Sequence, residues 1–362
     1  MKKLLLCSLC LIQTLTLFQK AQSCTDIKIQ AKDGSVVVAR SMEFEFDIQS
    51  KLNVVEKGQK KLSHAPKEMN GIEWTSKYKI AYLDGFGLDG ATDGMNEKGL
   101  SVEILYMPGY AKYQDEQAQK HPDKALSILD LGVFILGNFK TTDEVKKALQ
   151  EIYVWGEPHN NFIFPIHLAV NDSEGNSTIV EWTDKGLNFN DNKVGVLTNS
   201  PYYDWHTINL NNYLNLNPIN PPQKLVNGET FSPAGQGAGF VGLPGDWSPP
   251  SRFIRAATIN SYAQKPKNAQ EALLLGSHLI NSFDIPKGIM RDKDKNDPSY
   301  GDYTPWVVLK DLNNKVIYFR HYSNPNFYSV DLSKVIFEKG QSKKTISIQQ
   351  PYAPNDLSNQ LQ

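Results

Sequence analysis

The feature that most restricts what this chain can fold into is how its strand-like runs follow one another through tight turns, with the helix-like runs gathered in blocks. Polar and apolar residues alternate over 25–29, Lys32-Asp33-Gly34 breaks the pattern, and 35–39 is apolar and β-branched, so a β-hairpin opens at Cys24. A second hairpin reads over 90–106, with Asn96-Glu97-Lys98-Gly99 as its turn and Pro108-Gly109 beyond its end. Helical spacing follows over 122–137, and Thr141-Thr142-Asp143-Glu144 has the form of a capping box for a helix reaching Ile152. Strands return at 166–170, 177–182 and 194–198, and the Pro- and Gly-rich stretch 216–250 reads as a long loop. Ser251 is placed to cap a helix carrying Arg252, and Asn268 one that runs to Phe283; strands at 306–309 and 316–320 close the pattern. Blocks of this kind do not build alternating βαβ units. They predict an α+β fold of antiparallel sheets covered by helices, as one domain over 24–340 with a polar tail at 341–362.

The first 23 residues stand apart. Lys2 and Lys3 precede an apolar run to Phe18, and Ala21-Gln22-Ser23 puts small residues three and one positions before Cys24, the pattern of a secretory signal peptide. The run is about 15 residues, short of the roughly 20 that span a bilayer as a helix, so no stable membrane span is expected once it is removed. The product is expected to be periplasmic or secreted. Cleavage takes Lys2, Lys3 and Lys20 and no acidic residue, so a chain of formal charge -1 becomes mildly acidic. Such a balance gives no field to draw in a phosphate backbone, and no nucleic-acid partner is expected.

Cys7 and Cys10 leave with the signal, so the exported chain keeps one thiol, Cys24, and has no internal disulfide. A chain this long can bury a sufficient core without one. A thiol at the first mature position has three readings: an ordinary strand residue if cleavage falls nearby, the acylated cysteine of a lipid-anchored binding protein, or an amino-terminal nucleophile. Gln22, and the absence of leucine three residues before the cysteine, weigh against lipidation. The third reading has a chemical logic. An α-amino group with a reference pKa of about 7.7–8.0 can accept the thiol proton, so one residue supplies nucleophile and base. A nearby arginine would favour the thiolate.

Further along, Arg40-Ser41-Met42-Glu43, Asp93-Gly94-Met95-Asn96-Glu97-Lys98-Gly99-Leu100, Leu105-Tyr106-Met107-Pro108-Gly109-Tyr110, Thr198-Asn199-Ser200-Pro201, Gly242-Leu243-Pro244-Gly245-Asp246 through Ser251-Arg252-Phe253, and Tyr303-Thr304-Pro305-Trp306 follow Cys24-Thr25 in order. Each piece alone is weak, but together they resemble the choloylglycine hydrolases, a family that includes bile salt hydrolases and penicillin V acylases. The resemblance spans nearly the whole mature chain. It implies an Ntn-hydrolase fold, an αββα four-layer sandwich with two antiparallel sheets, and hydrolysis of a linear amide through an acyl-thioester on Cys24 without metal or cofactor. It further implies that Arg40 and Arg252 lie near the thiol and hold it as thiolate. Asn199 would donate a hydrogen bond to the oxyanion, and Tyr106 would occupy the second oxyanion position. Bile salt hydrolases usually carry asparagine at that second position, whereas penicillin V acylases tend to carry tyrosine, which points to a hydrophobic acyl amide as the small-molecule substrate. Conjugated bile salts and N-acyl homoserine lactones are the alternatives. Glu43 departs from the family's aspartate, which holds the amino-terminal group. The relatives tend to be tetramers, so a homo-oligomer is implied, and the export signal resembles that of the Gram-negative periplasmic branch.

Other constellations lead elsewhere. The seven histidines show neither His-x-His nor His-Glu-x-x-His spacing. Gly235-Gln236-Gly237-Ala238-Gly239 lacks the preceding strand of a phosphate cradle. Asp292-x-Asp294-x-Asn296 starts like a calcium loop but carries Asp297 where glycine is needed, so it reads as a surface turn. Tyr202, Tyr203 and Trp205 are candidates either to line an acyl pocket or to pack beneath the long loop.

Overall fold

The computed structural model describes residues 23–291, 301–354 and 356–361. Residues 1–22 of the expected signal and the calcium-like turn at 292–297 lie outside them. Two antiparallel sheets dominate. The first runs in the order Val196–Leu197, Cys24–Gln30, Val36–Phe44, Tyr303–Asp311, Val316–His321, Asn324–Asp331. The second runs Gly186–Asp191, Ser177–Thr183, Ile166–Asn171, Ser101–Tyr106, Leu88–Asn96, Ile80–Gly85, Lys51–Val55, Lys343–Ser347. Helices Pro249–Tyr262 and Ala269–Asn281 pack on the first sheet, and helix Leu131–Asn138 on the second. The sheets lie between these layers, and Met42 and Val38 of the first share a buried cluster with Leu83, Met95, Leu105 and Ala169 of the second.

The opening hairpin pairs Cys24 with Met42 and Gln30 with Val36. Because successive strand residues face opposite ways, Ile29 and Ala39 meet the helix layer while Arg40 and Met42 point at the second sheet. Gly276 lets that helix close on the sheet: a Cβ there would come within 3.2 Å of both Ile29 and Leu309. In the second hairpin, Gly99 completes the turn at φ +83°, where Leu312 O leaves no room for a side chain.

Several elements differ from the expectation. The apolar run 122–137 is not one helix; it holds a single turn at Pro122–Lys124, a strand at Ala125–Ser127 paired with Tyr153–Trp155, and a helix only at Leu131–Asn138. That helix is buried on every side, so its apolar residues carry no amphipathic period to read. The helix with Arg252 begins at Pro249, with Ser248 at its N-cap position, and Ser251 instead donates to Asp246 Oδ2 at 2.6 Å. Thr141 and Asn268 do cap their helices, accepting from Glu144 N and Glu271 N. The strand expected at 194–198 is limited to Val196–Leu197. The stretch 216–250 carries a small exposed hairpin, Lys224–Val226 with Glu229–Phe231. Past residue 340, Lys343–Ser347 pairs with Lys51–Val55 at the edge of the second sheet. No described helix is long and apolar enough to cross a membrane.

Candidate active site

Cys24 starts the second strand of the first sheet and is wholly buried. Its partner across the hairpin, Met42, brings Sδ to 3.7 Å from the Cys24 Sγ. Two residues earlier on the same face, Arg40 reaches Sγ with Nη2 at 3.8 Å. The guanidinium is fixed from the far side. Nη1 donates to Thr92 O at 2.8 Å and to Asp93 Oδ2 at 3.3 Å, Nη2 donates to Ile104 O at 2.5 Å, and the group lies 5.2 Å over the Trp306 ring.

Arg252 lies near the thiol and its charge favours the thiolate, while its hydrogen bonds go to the groups around it. It sits in the first turn of its helix and grips the backbone around the nucleophile: Nη1 donates to Cys24 O and to Thr25 Oγ1 at 2.8 Å, and Nη2 to Asn199 Oδ1 at 2.8 Å. Asn199 is the hub. Its Oδ1 also accepts from Cys24 N at 2.6 Å, and its Nδ2 donates to Tyr106 O at 2.9 Å. Ser23 still precedes Cys24, so the nitrogen reaching Asn199 is an amide N–H.

Burial pushes the Cys24 thiol up from its ordinary value, and the positive charges of Arg40 and Arg252 only partly offset this. The thiol is thus harder to ionise in this form of the chain, in which Ser23 still precedes it, and the two arginines act in the direction expected of them. Glu43 follows Met42 on the same strand and is also fully buried. Thr304 Oγ1 donates to its Oε1 at 3.2 Å, while Oε2 meets no hydrogen-bond donor among the described residues. Burial raises this carboxyl to about 8, against the pull of Arg252. Tyr106 is buried, its hydroxyl has no hydrogen-bond partner among the described residues, and burial holds it well above the ordinary phenol range. The other five residues singled out from the sequence thus gather around Cys24.

Two residues that the sequence reading passed over support the site. His206 Nε2 meets Asn199 O at 2.9 Å, its ring stacked 4.8 Å from Phe253. His167 Nε2 meets Thr198 O at 2.9 Å, and its Nδ1 faces Glu181 Oε1 at 3.3 Å. The two rings pin the peptide carbonyls before and after the Asn199 Cα. The only sequence signal was a histidine at an inward position of the apolar strand Ile166–Asn171. The aromatics at 202–205 pack elsewhere: Tyr203 hydrogen-bonds Asn192, Tyr202 meets Tyr110 edge-on, and Trp205 is half exposed.

From Met42 an apolar pocket opens outward, lined among others by Phe86, Ile104, Tyr106, Leu129 and Phe164. Phe86 and Phe164 lie with ring centroids 5.0 Å apart, and Tyr106 and Phe164 with theirs at 6.1 Å. The pocket reaches Met42, whose sulfur touches the buried thiol, so an apolar acyl group bound there would lie next to a nucleophile flanked by a fixed guanidinium and an amide side chain.

Residues 24–345 match the model of the linear amide C–N hydrolases, choloylglycine hydrolase family. The chain belongs to the choloylglycine hydrolase family. A bile salt hydrolase/transferase from Clostridium perfringens is 30% identical over 334 residues, covering 90% of this chain and 98% of the relative. The crystal structure of a variant of conjugated bile acid hydrolase from the same organism superposes with a TM-score of 0.81 at 28% identity, over 92% of this chain and all of the other. Penicillin V acylase from Agrobacterium tumefaciens gives 0.69 at 27% identity, over 90% and 91% of the two chains. The chain accordingly has the Ntn-hydrolase fold, and it is a linear amide C–N hydrolase.

Proposed function

We propose that this protein is exported, begins at Cys24 once its leader is removed, and cleaves amides of hydrophobic acyl groups in the manner of a penicillin V acylase. The observation that carries the substrate reading is the pocket that opens from Met42, the residue whose sulfur touches the thiol. The pocket is walled by aromatic and aliphatic side chains, and Tyr106 stands at its foot with an apolar ring where an asparagine would offer a polar amide. An aromatic or alkyl acyl group fills such a space and places its carbonyl at Sγ.

Release of Cys24 from Ser23 turns its nitrogen into an amine. That amine takes the Sγ proton, Sγ attacks the amide carbonyl, and the oxyanion takes up a hydrogen bond from the Asn199 amide, with Tyr106 at the second position. The resulting ammonium passes its proton to the departing amine, leaving an acyl-thioester. Water, deprotonated by the same amine, then hydrolyses the thioester. Glu43 supplies the carboxylate that holds the ammonium; its Oε2 has no other hydrogen-bond partner among the described residues. Arg40 balances charge on sulfur, and Arg252 keeps Cys24 and Asn199 in register.

A conjugated bile salt is the second reading, favoured by the name of the 30% identical relative. Turnover of penicillin V, a glycine-conjugated bile salt and a long-chain N-acyl homoserine lactone by the purified protein decides among them, and preference for a conjugated bile salt overturns the first reading. Cys24→Ala is expected to abolish hydrolysis with the fold intact. The intact mass of exported protein should correspond to a chain starting at an unmodified Cys24. Extra acyl mass, or another first residue, favours a lipid-anchored or binding role on the same scaffold. Assembly as a homotetramer belongs to the same reading and is checked by light scattering.

A further inference from the structure

Behind Arg40, on the side away from the thiol, lies a layer that the chemistry above does not use. Asp26, Arg40 and Lys310 from the first sheet meet Asp93 and Glu103 from the second, and all five are 0% exposed. Lys310 Nζ lies 2.5 Å from Asp93 Oδ1 and 2.7 Å from Glu103 Oε1. The other Asp93 oxygen is 3.3 Å from Arg40 Nη1, and Asn171 Nδ2 donates to Glu103 Oε2 at 2.8 Å. Among the described residues, neither oxygen of Asp26 meets a hydrogen-bond donor.

The contacts favour one balance of charge, although burial and the neighbouring Asp93 charge also raise the Glu103 carboxyl. Arg40 and Lys310 are matched by Asp93 and Glu103, each in ion-pair contact with a cation. A third carboxylate, buried with no donor, would leave the layer negative at a place that water cannot reach. As the acid, Asp26 leaves the layer neutral.

We propose that these five side chains form one electrically neutral block that sets Arg40 beneath the Cys24 thiol, with Asp93 and Lys310 as positioning residues and Asp26 carrying the single carboxyl proton. Lys310 fixes the Asp93 carboxylate, Asp93 fixes one edge of the guanidinium, and the opposite edge is left to face sulfur. Burial and the neighbouring Glu103 charge hold the Asp26 carboxyl well above the usual carboxylate range, in keeping with the proton count. Other charges also face these groups. Lys28, on the same strand as Asp26, spends its Nζ on Gly175 O at 2.6 Å. The thiol faces Glu43, Arg252 and Tyr106 as well as Arg40. The consequence for catalysis rests on the reading of Cys24 as nucleophile; the titration of the thiol does not.

The test is the pH dependence of Cys24 alkylation by iodoacetamide in the full chain, read from the mass of the Cys24 peptide so that Cys7 and Cys10 do not contribute. Lys310→Met should move the midpoint up by on the order of one pH unit, because a positive charge and the anchor of Asp93 are both lost. Asp26→Asn should leave the midpoint in place. An unmoved midpoint in folded Lys310→Met, or a lowered one in Asp26→Asn, overturns the proposal. If Lys310→Met fails to fold, infrared difference spectra decide: wild type minus Asp26→Asn at neutral pH should show the carbonyl stretch of a protonated carboxylic acid, and its absence refutes the block. On any amide the wild type turns over, Lys310→Met should lower kcat and leave KM within a factor of about two. A shifted thiol midpoint together with no turnover of any amide would uphold the block and defeat the substrate reading instead.

Discussion

Asn199 offers the sharpest separation of chemistry from architecture, because its two ends do different work. Its Oδ1 accepts from Cys24 N at 2.6 Å and Arg252 Nη2 at 2.8 Å, while Nδ2 donates to Tyr106 O at 2.9 Å and has one further hydrogen for the oxyanion. Asn199→Asp keeps both accepted bonds and removes both donated ones. Loss of the oxyanion donor costs roughly 3 kcal/mol of barrier, so kcat should fall on the order of 10²- to 10³-fold with KM little changed. For stability, Tyr106 O loses its partner at a cost of roughly 1–3 kcal/mol, and the stronger charged bond from Arg252 offsets part of it. Asn199→Ala loses all three structural bonds and strands two donors and one acceptor in the interior, which costs roughly 3–6 kcal/mol. Steady-state kinetics on the best-cleaved amide, with urea unfolding of both variants, reads the two effects separately. An Asn199→Asp enzyme with kcat within about threefold of the parent would refute the oxyanion assignment, whatever its stability.

Two further substitutions probe the surroundings. His206→Ala removes the bond to Asn199 O and the stacking on Phe253, and should cost about 1–3 kcal/mol in unfolding experiments while lowering kcat. Burial holds His206 down to about 4, so its ring is neutral above pH 5 and the variant's activity profile should lose no step there; a lost step would mean that the ring titrates in the working range. For Glu43 the sign is the opposite of a salt-bridged carboxylate. In the chain that retains Ser23, its native-state pKa of about 8 lies above the ordinary 4.5, so the folded state binds more protons between those values and stability falls as pH rises through that window. Carried past pH 8, the loss amounts to as much as about 5 kcal/mol, and Glu43→Gln should flatten the curve; identical pH–stability curves for the two proteins would exclude the assignment.

What could be read from the sequence was local. Cys24, Arg40, Met42 and Glu43 lie on two strands joined by one tight turn, so the alternation that predicts the hairpin also fixes which of them share a face. Asn199 and Arg252 come from distant segments, and only the family resemblance brought them to the site. The strands Lys51–Val55, Lys60–Ala65, Met69–Thr75 and Ile80–Gly85 left no comparable mark, since two of them form a half-exposed ribbon whose side chains alternate weakly. His167 and His206 were passed over because a lone histidine in an apolar stretch has no spacing to betray a backbone partner.

Asp26, Glu103 and Lys310 escaped notice for a deeper reason. In a strand with one wet face, alternation sorts polar residues outward; here both faces of each sheet are covered, and the same alternation sends them into the layer between sheets. Once there, each is tolerable only with the others, so the period of two tells which side a charge takes but not that its partners wait on another sheet. The same layer begins at the nucleophile. Cys24, Asp26 and Lys28 share one face of one strand, so the register that buries the thiol also buries the charges, and a one-residue slip of the opening hairpin would expel both at once. Placement of the thiol and neutrality of the interior are thus set by one register.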